Sequence, residues 1–590
     1  MKNSTIKLML LLCITGTLIS CNDEGLTEIN PNRRSTGSFW KDLTDTDSGL
    51  AAAYNGMLNE DVLSLPNEAL RDDMGWPGFG RPIASNDGRR NIYELNFTNS
   101  NAYVANKWNM SYVVIFRANQ VIEALERFDT ESYSEDLKQT WAYQMGQARF
   151  IRALMHFYLH SAYNNGSIII RDFVPVSTED FNLPLSPASE VVAFIRQDLE
   201  YAYNNLPAKY DSDRDLGRIT KGAAATILGT TYLYEKNYEQ AKFYFNDIIN
   251  NVTADYDYEL VEDIALLFTN AGEFNRESIF ELNYSLDYRE EIGNFQDHIL
   301  TNQLAAKSTL NDGAFLPAWL INAYRNDAMD PLDERNYYDN PNTGRTLRPV
   351  SLRTSSMVAI VNDDVSLYYG QTTGAGVRLS RNGWGFGYYK KYTNHDIYSN
   401  ENDAGPRGAR SSGKNVTVNR LADVYLMQAE CLIKTGDVAG ALELINAVRH
   451  RWALILLGPE NPRWSGSSFD LIDYDENTLM EHLMFVEKPL EMSFEGHQIR
   501  WNDLRRWGVL GENFNRLAAS TFYAEAITVS RVDGSTSNRA SASISENPGT
   551  ATGLDIIDYE YNEKAKSYNP MLHDYLPIPL SEITRNPNVN

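Results

Sequence analysis

Thr220-Lys221-Gly222-Ala223-Ala224-Ala225-Thr226-Ile227-Leu228-Gly229-Thr230-Thr231-Tyr232, followed past Lys236-Asn237 by Ala241-Lys242-Phe243-Tyr244-Phe245-Asn246-Asp247-Ile248-Ile249, decides the fold. Ala224, Ile227, Leu228 and Tyr232 recur at helical spacing on one face, with Thr220 as N-cap. Lys236-Asn237 interrupts the run, and Asn237 with Gln240 predicts a capping box for a second helix. Its buried stripe is Ala241, Phe245, Ile248 and Ile249. Small Gly229 and Ala241 allow the helices to approach closely, and Tyr232 and Phe245 fill the groove between them.

Leu228-Gly229, Tyr232, Ala241 and Phe245 fall at the relative spacings of a tetratricopeptide helix pair. A weaker copy follows at Tyr425, Ala429, Leu432, Ala441 and Ile445, with Gly436 as C′ and Asp437 as N-cap. One such pair cannot bury both of its faces, so pairs are expected to stack into a curved layer. Asn101–Arg127, Leu137–Tyr163 and Ser189–Leu206 also read as amphipathic helices, the last ended by Pro207. The predicted fold is mainly α, a tetratricopeptide-like scaffold with helix pairs over about 101–252 and 419–508. Long irregular loops and minor β structure fill the rest. Residues 255–418 lack clear helices, and runs such as Asn340–Val350 and Ser399–Lys414 show no period; 533–552 is Ser/Gly-rich. Residues 44–590 are read as a single domain, with loop regions about 61–100 and 255–418 as the ligand-binding parts.

The N-terminus sets the location. Met1–Ser20 has basic Lys2 and Lys7, a leucine-rich core over Leu8–Leu12, and Leu18-Ile19-Ser20 before Cys21. This predicts a lipoprotein signal, residues 1–20, cut ahead of a lipidated Cys21, with 21–43 as tether and N-terminal segment. The apolar core is too short to span a bilayer, so the mature protein is expected to be anchored rather than spanning. Cys13 leaves with the signal and Cys21 carries lipid, so Cys431 stands alone, inside a helical pattern, as a small core residue.

Composition narrows the ligands. The 590 residues are 43% hydrophobic and 12% aromatic, with 35 tyrosines against 23 phenylalanines. That bias favours half-wet positions where a phenol finds a hydrogen-bond partner while its ring packs. Net charge is −25, and loss of two lysines with the signal makes the mature chain two units more negative. Such a surface repels phosphate backbones, which excludes nucleic acid as the expected partner.

The chain resembles the SusD/RagB family of surface lipoproteins along nearly its whole mature length. The resemblance rests on Phe39-Trp40 with Tyr54, Arg149-Phe150-Ile151-Arg152-Ala153, Asp198-Leu199 with Leu206-Pro207, and Gly217-Arg218 before Thr220-Lys221-Gly222-Ala223-Ala224. It continues in Asn419-Arg420-Leu421-Ala422-Asp423-Val424-Tyr425-Leu426-Met427 with Glu430, and in Asn446 with Val448-Arg449. It is strongest in Glu491, Phe494-Glu495-Gly496, Arg500 and Asp503-Leu504-Arg505-Arg506-Trp507-Gly508, and reaches Leu576-Pro577-Ile578-Pro579. Glu487-Lys488 departs from the Glu-Arg common in the family, and the usual final Gln-Asn segment is not found before Asn590. The resemblance implies four tetratricopeptide-like pairs and lipid attachment to the outer membrane, facing outward, with Asp23-Glu24 resembling the display signal. It also implies a SusC-like, TonB-dependent barrel as partner, covered by this protein as a hinged lid that hands over an oligosaccharide without chemistry and without a cofactor. Related proteins of the family handle oligopeptides, and sequence barely separates the two ligands.

Sugar rings stack their C–H faces on flat aromatics, and their hydroxyls need polar partners, so a glycan site calls for aromatics on irregular backbone. Two segments fit. The first is Arg71–Arg81, where Trp76 and Phe79 have no helical stripe to occupy them and Asp72, Asp73 and Arg81 supply polar partners; the resemblance places a ligand loop here. The second is Arg381–Lys390, where glycine alternates with aromatics as at a strand edge or close backbone approach; Arg381, Trp384 and Tyr388 are the candidates. Trp319, Trp501 and Trp507 read as core.

Enzyme readings are weaker. Glu481, Glu487, Glu491 and Glu495 could suggest a carboxylate-pair glycosidase, yet Thr478 and Glu481 look like a capping box. Glu491 and Glu495 share a helix face beside Arg500 and Arg505, which predicts structural ion pairing. His156 and His160 have zinc-ligand spacing but Phe at 157 and no third ligand. Asp211, Asp213 and Asp215 resemble a calcium loop with its glycine one place late. No catalytic residue and no metal site is expected.

Overall fold

The computed structural model describes residues 39–78, 88–289, 294–304, 313–340, 342–377, 385–400, 411–546, 554–556 and 559–589. The lipidation position Cys21 lies outside them.

Eight helices build the scaffold: α1 Leu43–Met57, α2 Ala102–Glu126, α3 Glu135–Ala162, α4 Ala188–Asn205, α5 Lys221–Tyr234, α6 Tyr238–Asn250, α7 Leu421–Lys434 and α8 Val438–Arg451. Each packs on the next in chain order. Short polar caps set their starts: Asp42, Asn101, Ser134, Thr220, Asn237 and Asp437 each accept from a backbone N–H of the first turn, satisfying donors that a helix leaves without partners. The Asn237 half of the expected capping box is present, as its side chain accepts from Gln240 N. The box expected at Thr478 lies instead between Asp475 and Thr478, so Glu481 takes no part.

The α5–α6 pair packs as its spacing requires. A Cβ at Gly229 would lie 2.4 Å from the Phe245 ring, so only glycine lets α6 settle against α5. Tyr232 differs from expectation. It is half-buried at the groove edge, with the Arg196 guanidinium of α4 over its ring at 3.8 Å.

The long central insertion leaves after α6 and returns at α7, yet α6 packs directly on α7. Strands β1 Ser278–Leu282 and β4 Val416–Arg420 explain this, since they pair antiparallel and close the neck of the insertion. Within it lie the short pair β2 Val358–Ile360 and β3 Gly387–Tyr389. Two stretches read as irregular contain hairpins. Tyr337–Asn340 pairs with Gly344–Leu347, and β5 Phe522–Ser530 pairs with β6 Thr536–Ser545 through a turn at Asp533-Gly534.

Below the neck sits a buried ion network. Arg420 donates to Glu277 at 2.8 Å, to Glu491 at 2.7 Å and to Glu495 at 2.7 Å. Glu491 also pairs with Arg451, and its other oxygen accepts from Trp452 Nε1 at 2.7 Å. Glu487 is held between Arg353 and Arg449. The glutamates are thus structural, but their partners are not the expected Arg500 and Arg505. Lys488 is buried between Asp423 and Asp503 at 2.9 and 3.1 Å. Cys431 is buried with a free thiol.

Candidate functional site

The first nominated segment begins where the short helix Leu65–Arg71 ends. Asp72 turns the chain by accepting from Met74 N at 2.7 Å. Gly75 then passes so close to Ala69 that a Cβ would lie 2.7 Å from its carbonyl. At the next residue the backbone meets a distant partner: Trp76 N donates to Phe315 O at 2.9 Å, and Phe315 N donates back at 2.8 Å.

The second segment reaches the same partner. Leu316 N donates to Gly387 O at 3.2 Å, and the Phe315 and Tyr388 rings meet edge-to-face at 5.5 Å. Gly385 would drive a Cβ to 2.8 Å from Phe315 Cβ, which accounts for glycine beside the aromatics. Tyr389 hydroxyl closes the seam by donating to Met74 O at 2.6 Å. Two segments some 300 residues apart in sequence are therefore stitched together by Phe315-Leu316, a staple that sequence reading missed. Its only local sign is the apolar Ala314-Phe315-Leu316 before Pro317.

The seam changes the roles of four nominated residues. Trp76 is 4% exposed, Asp72 3%, and Asp73 and Tyr388 0%. Their side chains face the interior and do not meet solvent. Asp73 carboxylate takes two hydrogen bonds from Arg500 and one from Asn513, each 2.8 Å. Burial pushes its pKa up, but Arg500 and Asn513 outweigh this and hold it below the ordinary value. Asp72, by contrast, is raised by burial and by the neighbouring Asp73 charge. Trp76 occupies the interior because its backbone is paired and its ring is part of the core. Phe79 and Arg81, which come after Gly78 in sequence, and Arg381 and Trp384, which come before Gly385, lie outside the described residues.

The readings of Trp319, Trp501 and Trp507 divide by depth. Trp319 is 6% exposed, with Nε1 donating to Asp73 O at 2.8 Å, and Trp501 is fully buried. Trp507 is half-buried, donating to Glu430 at 3.0 Å. His156 is also interior: Nδ1 bonds Arg152 O at 2.8 Å, and Nε2 accepts from Arg171 N at 3.2 Å. No group of acidic, histidine or cysteine side chains among the described residues could hold a metal ion. No helix among them is long and apolar enough to cross a membrane.

Stacked helix pairs carrying a cross-linked irregular layer define a helical-repeat scaffold protein. Two sequence profiles give the lineage. One, described as SusD family, matches residues 276–590; the other, described as starch-binding associating with outer membrane, matches residues 59–233. The chain belongs to the SusD family. The SusD-like protein P25 of Formosa agariphila is 25% identical over 414 residues, covering 69% of this chain and 71% of that protein. Among solved structures, a SusD superfamily protein of Bacteroides vulgatus matches with a TM-score of 0.65 at 21% identity, covering 94% of this chain and 99% of that one. A laminarin binding SusD-like protein matches with a TM-score of 0.61 at 20% identity, covering 93% and 99%. Both share the fold.

Proposed function

We propose that the protein is a lipid-anchored outer-membrane lipoprotein, displayed at the cell surface, that captures a glycan and delivers it unaltered to a SusC-like TonB-dependent barrel. The observation that carries this reading is the convergence of both aromatic segments on Phe315-Leu316. The described ends of the two segments, Gly78 and Gly385, flank this seam. Of the nominated residues, Phe79, Arg81, Arg381 and Trp384 are assigned to the ligand, and the buried Asp72, Asp73, Trp76 and Tyr388 to the framework. The family membership and the laminarin-binding relative favour a neutral glycan, as does the acidic surface. Capture without chemistry agrees with the commitment of Glu487, Glu491 and Glu495 to buried arginines.

The test is a glycan array run beside a peptide-pool pull-down with the purified mature protein. Retention of oligosaccharides is expected; retention of peptides alone overturns the sugar reading. Incubation with the retained polysaccharide is expected to yield no new reducing ends, and their appearance would make the protein a hydrolase.

A further inference from the structure

A partly open cavity lies at the C-terminal ends of α3 and α5. It measures about 330 Å³, and its lining includes His160, Tyr234, Lys236, Arg505, Asp574 and Tyr575. Arg505 is carried by α9 Ile499–Trp507. Its guanidinium lies over the Tyr575 ring at 3.8 Å, donates to Asp574 O at 2.9 Å and to Asn502 Oδ1 at 3.0 Å, and forms no ion pair with any carboxylate among the described residues. That distinguishes it from its neighbour Arg506, which is paired with both Glu430 and Asp503.

Two carboxylates stand in the lining: Glu235 is paired with Arg196 at 2.7 Å, and Asp574 accepts from the neutral Tyr568 hydroxyl and keeps its charge, while making no ion pair with Arg505. Behind Arg505 lies a second guanidinium, that of Arg71, paired with Glu68 at 3.6 Å. Arg71 donates to the same Asp574 carbonyl at 3.3 Å, as does Trp501 Nε1 at 3.0 Å. Two guanidinium groups thus share one neutral acceptor. Deeper still, buried Asn502 Nδ2, Gln498 Nε2 and Arg71 Nε have no acceptor. These donors and Glu68 Oε2 beside Arg71, likewise without a hydrogen bond, lie behind the cavity rather than in its lining. Arg505 itself is half-buried and rests on neutral oxygens, so an anion reaching it would form a charge-assisted pair.

The other lining groups refine the ligand. His160 Nδ1 donates to Gly166 O at 2.8 Å, which leaves Nε2 as the acceptor of the neutral ring. Burial lowers its pKa and keeps it neutral. Tyr234 hydroxyl makes no hydrogen bond within the described protein and can donate or accept. A cation for a carboxylate, an acceptor and a phenol for hydroxyls, and a volume at the low end for small-molecule pockets together match one sugar-acid unit.

We infer that the cavity between α3, α5 and α9 is a binding site for an anionic sugar unit, its carboxylate or sulfate oxygens on Arg505 and its hydroxyls on His160 and Tyr234. The acidic surface elsewhere does not silence it, because charges beyond roughly 8 Å are screened at physiological salt. The site is separate from the loop seam, so it stands or falls independently of the neutral-glycan reading.

Calorimetric titration of the mature protein with sodium glucuronate, sodium sulfate and glucose tests it. Binding of glucuronate above sulfate, with no binding of glucose, is expected and assigns a carboxylate sugar; sulfate equal to glucuronate assigns the oxyanion alone and overturns the hydroxyl contacts. Arg505→Gln is expected to weaken glucuronate by about tenfold or more, the loss of a charge-assisted pair. Because Arg505 also holds the 574 carbonyl, Lys236→Glu at the exposed rim provides a variant that keeps the fold, and it too is expected to weaken glucuronate. A selenate soak of crystals should show an anomalous peak beside Arg505. Failure of the mature protein to bind glucuronate, unchanged affinity in folded Arg505→Gln and Lys236→Glu, or a crystal with selenate only elsewhere overturns the site.

Discussion

Arg500 grips Asp73 through two parallel hydrogen bonds, Nε to Oδ1 and a terminal nitrogen to Oδ2, both 2.8 Å. The pair ties the root of the first aromatic segment to α9 across 427 positions of sequence. Both side chains are shielded from water, and Asn513 completes the carboxylate. Replacing Asp73 by alanine leaves Arg500 buried and uncompensated, which costs about 3–5 kcal/mol. Urea unfolding of Asp73→Ala checks this; a loss below about 1 kcal/mol would show that water reaches the pair.

The two tryptophans nominated for the ligand should behave oppositely. Trp76→Ala removes a core ring and is expected to lower stability by about 3–5 kcal/mol. Trp384→Ala is expected to leave the urea midpoint unchanged and weaken retention in a polysaccharide affinity gel by about 1–3 kcal/mol. The reverse pattern would return Trp76 to the binding surface and remove Trp384 from it.

Gly229 tests the helix-pair packing. A valine there must displace the Phe245 ring, so Gly229→Val should cost about 1–3 kcal/mol. Phe245→Leu in the same chain should recover part of that loss, since the two share one space. Additive losses in the double variant would separate the two positions.

Acid should unfold the protein through its buried glutamates. Burial raises the Glu491 pKa, but Arg451, Arg420 and Arg353 outweigh it and bring the value down to about 2. A carboxylate depressed in the folded state binds its proton less tightly there than in the unfolded chain. Its contribution is therefore complete above about pH 4.5, the ordinary value, and is lost as pH falls toward about 2. Urea midpoints measured from neutral pH downward should stay level and then drop below about pH 4.5. Glu491→Gln should lose about 3–5 kcal/mol at neutral pH and show a shallower acid drop. An equally steep drop would assign the acid sensitivity to other groups.

Local signals made much of the scaffold legible. The α5–α6 pair follows from apolar spacing, Thr220, Asn237 and one glycine, all within thirty residues. The β5–β6 hairpin was also open to reading, since Asp533-Gly534 is a strong turn signal. Its second strand, Thr536–Ser545, is mostly small and polar, so no alternation marked it. Glu491 was legible as an ion-pairing residue from its setting, whereas Arg420 and Arg451 as its partners were not.

What the chain alone determined, then, was the main helices, the caps at Thr220, Asn237 and Asp437 and the family resemblance, because each is carried by local runs of residues. The fate of Trp76, Asp73 and Tyr388 was settled only by tertiary structure. An aromatic on irregular backbone looks the same in sequence whether it faces water or a core. The difference lies in Phe315 and Arg500, far away in sequence, whose hydrogen bonds and packing turn apparent ligand contacts into framework.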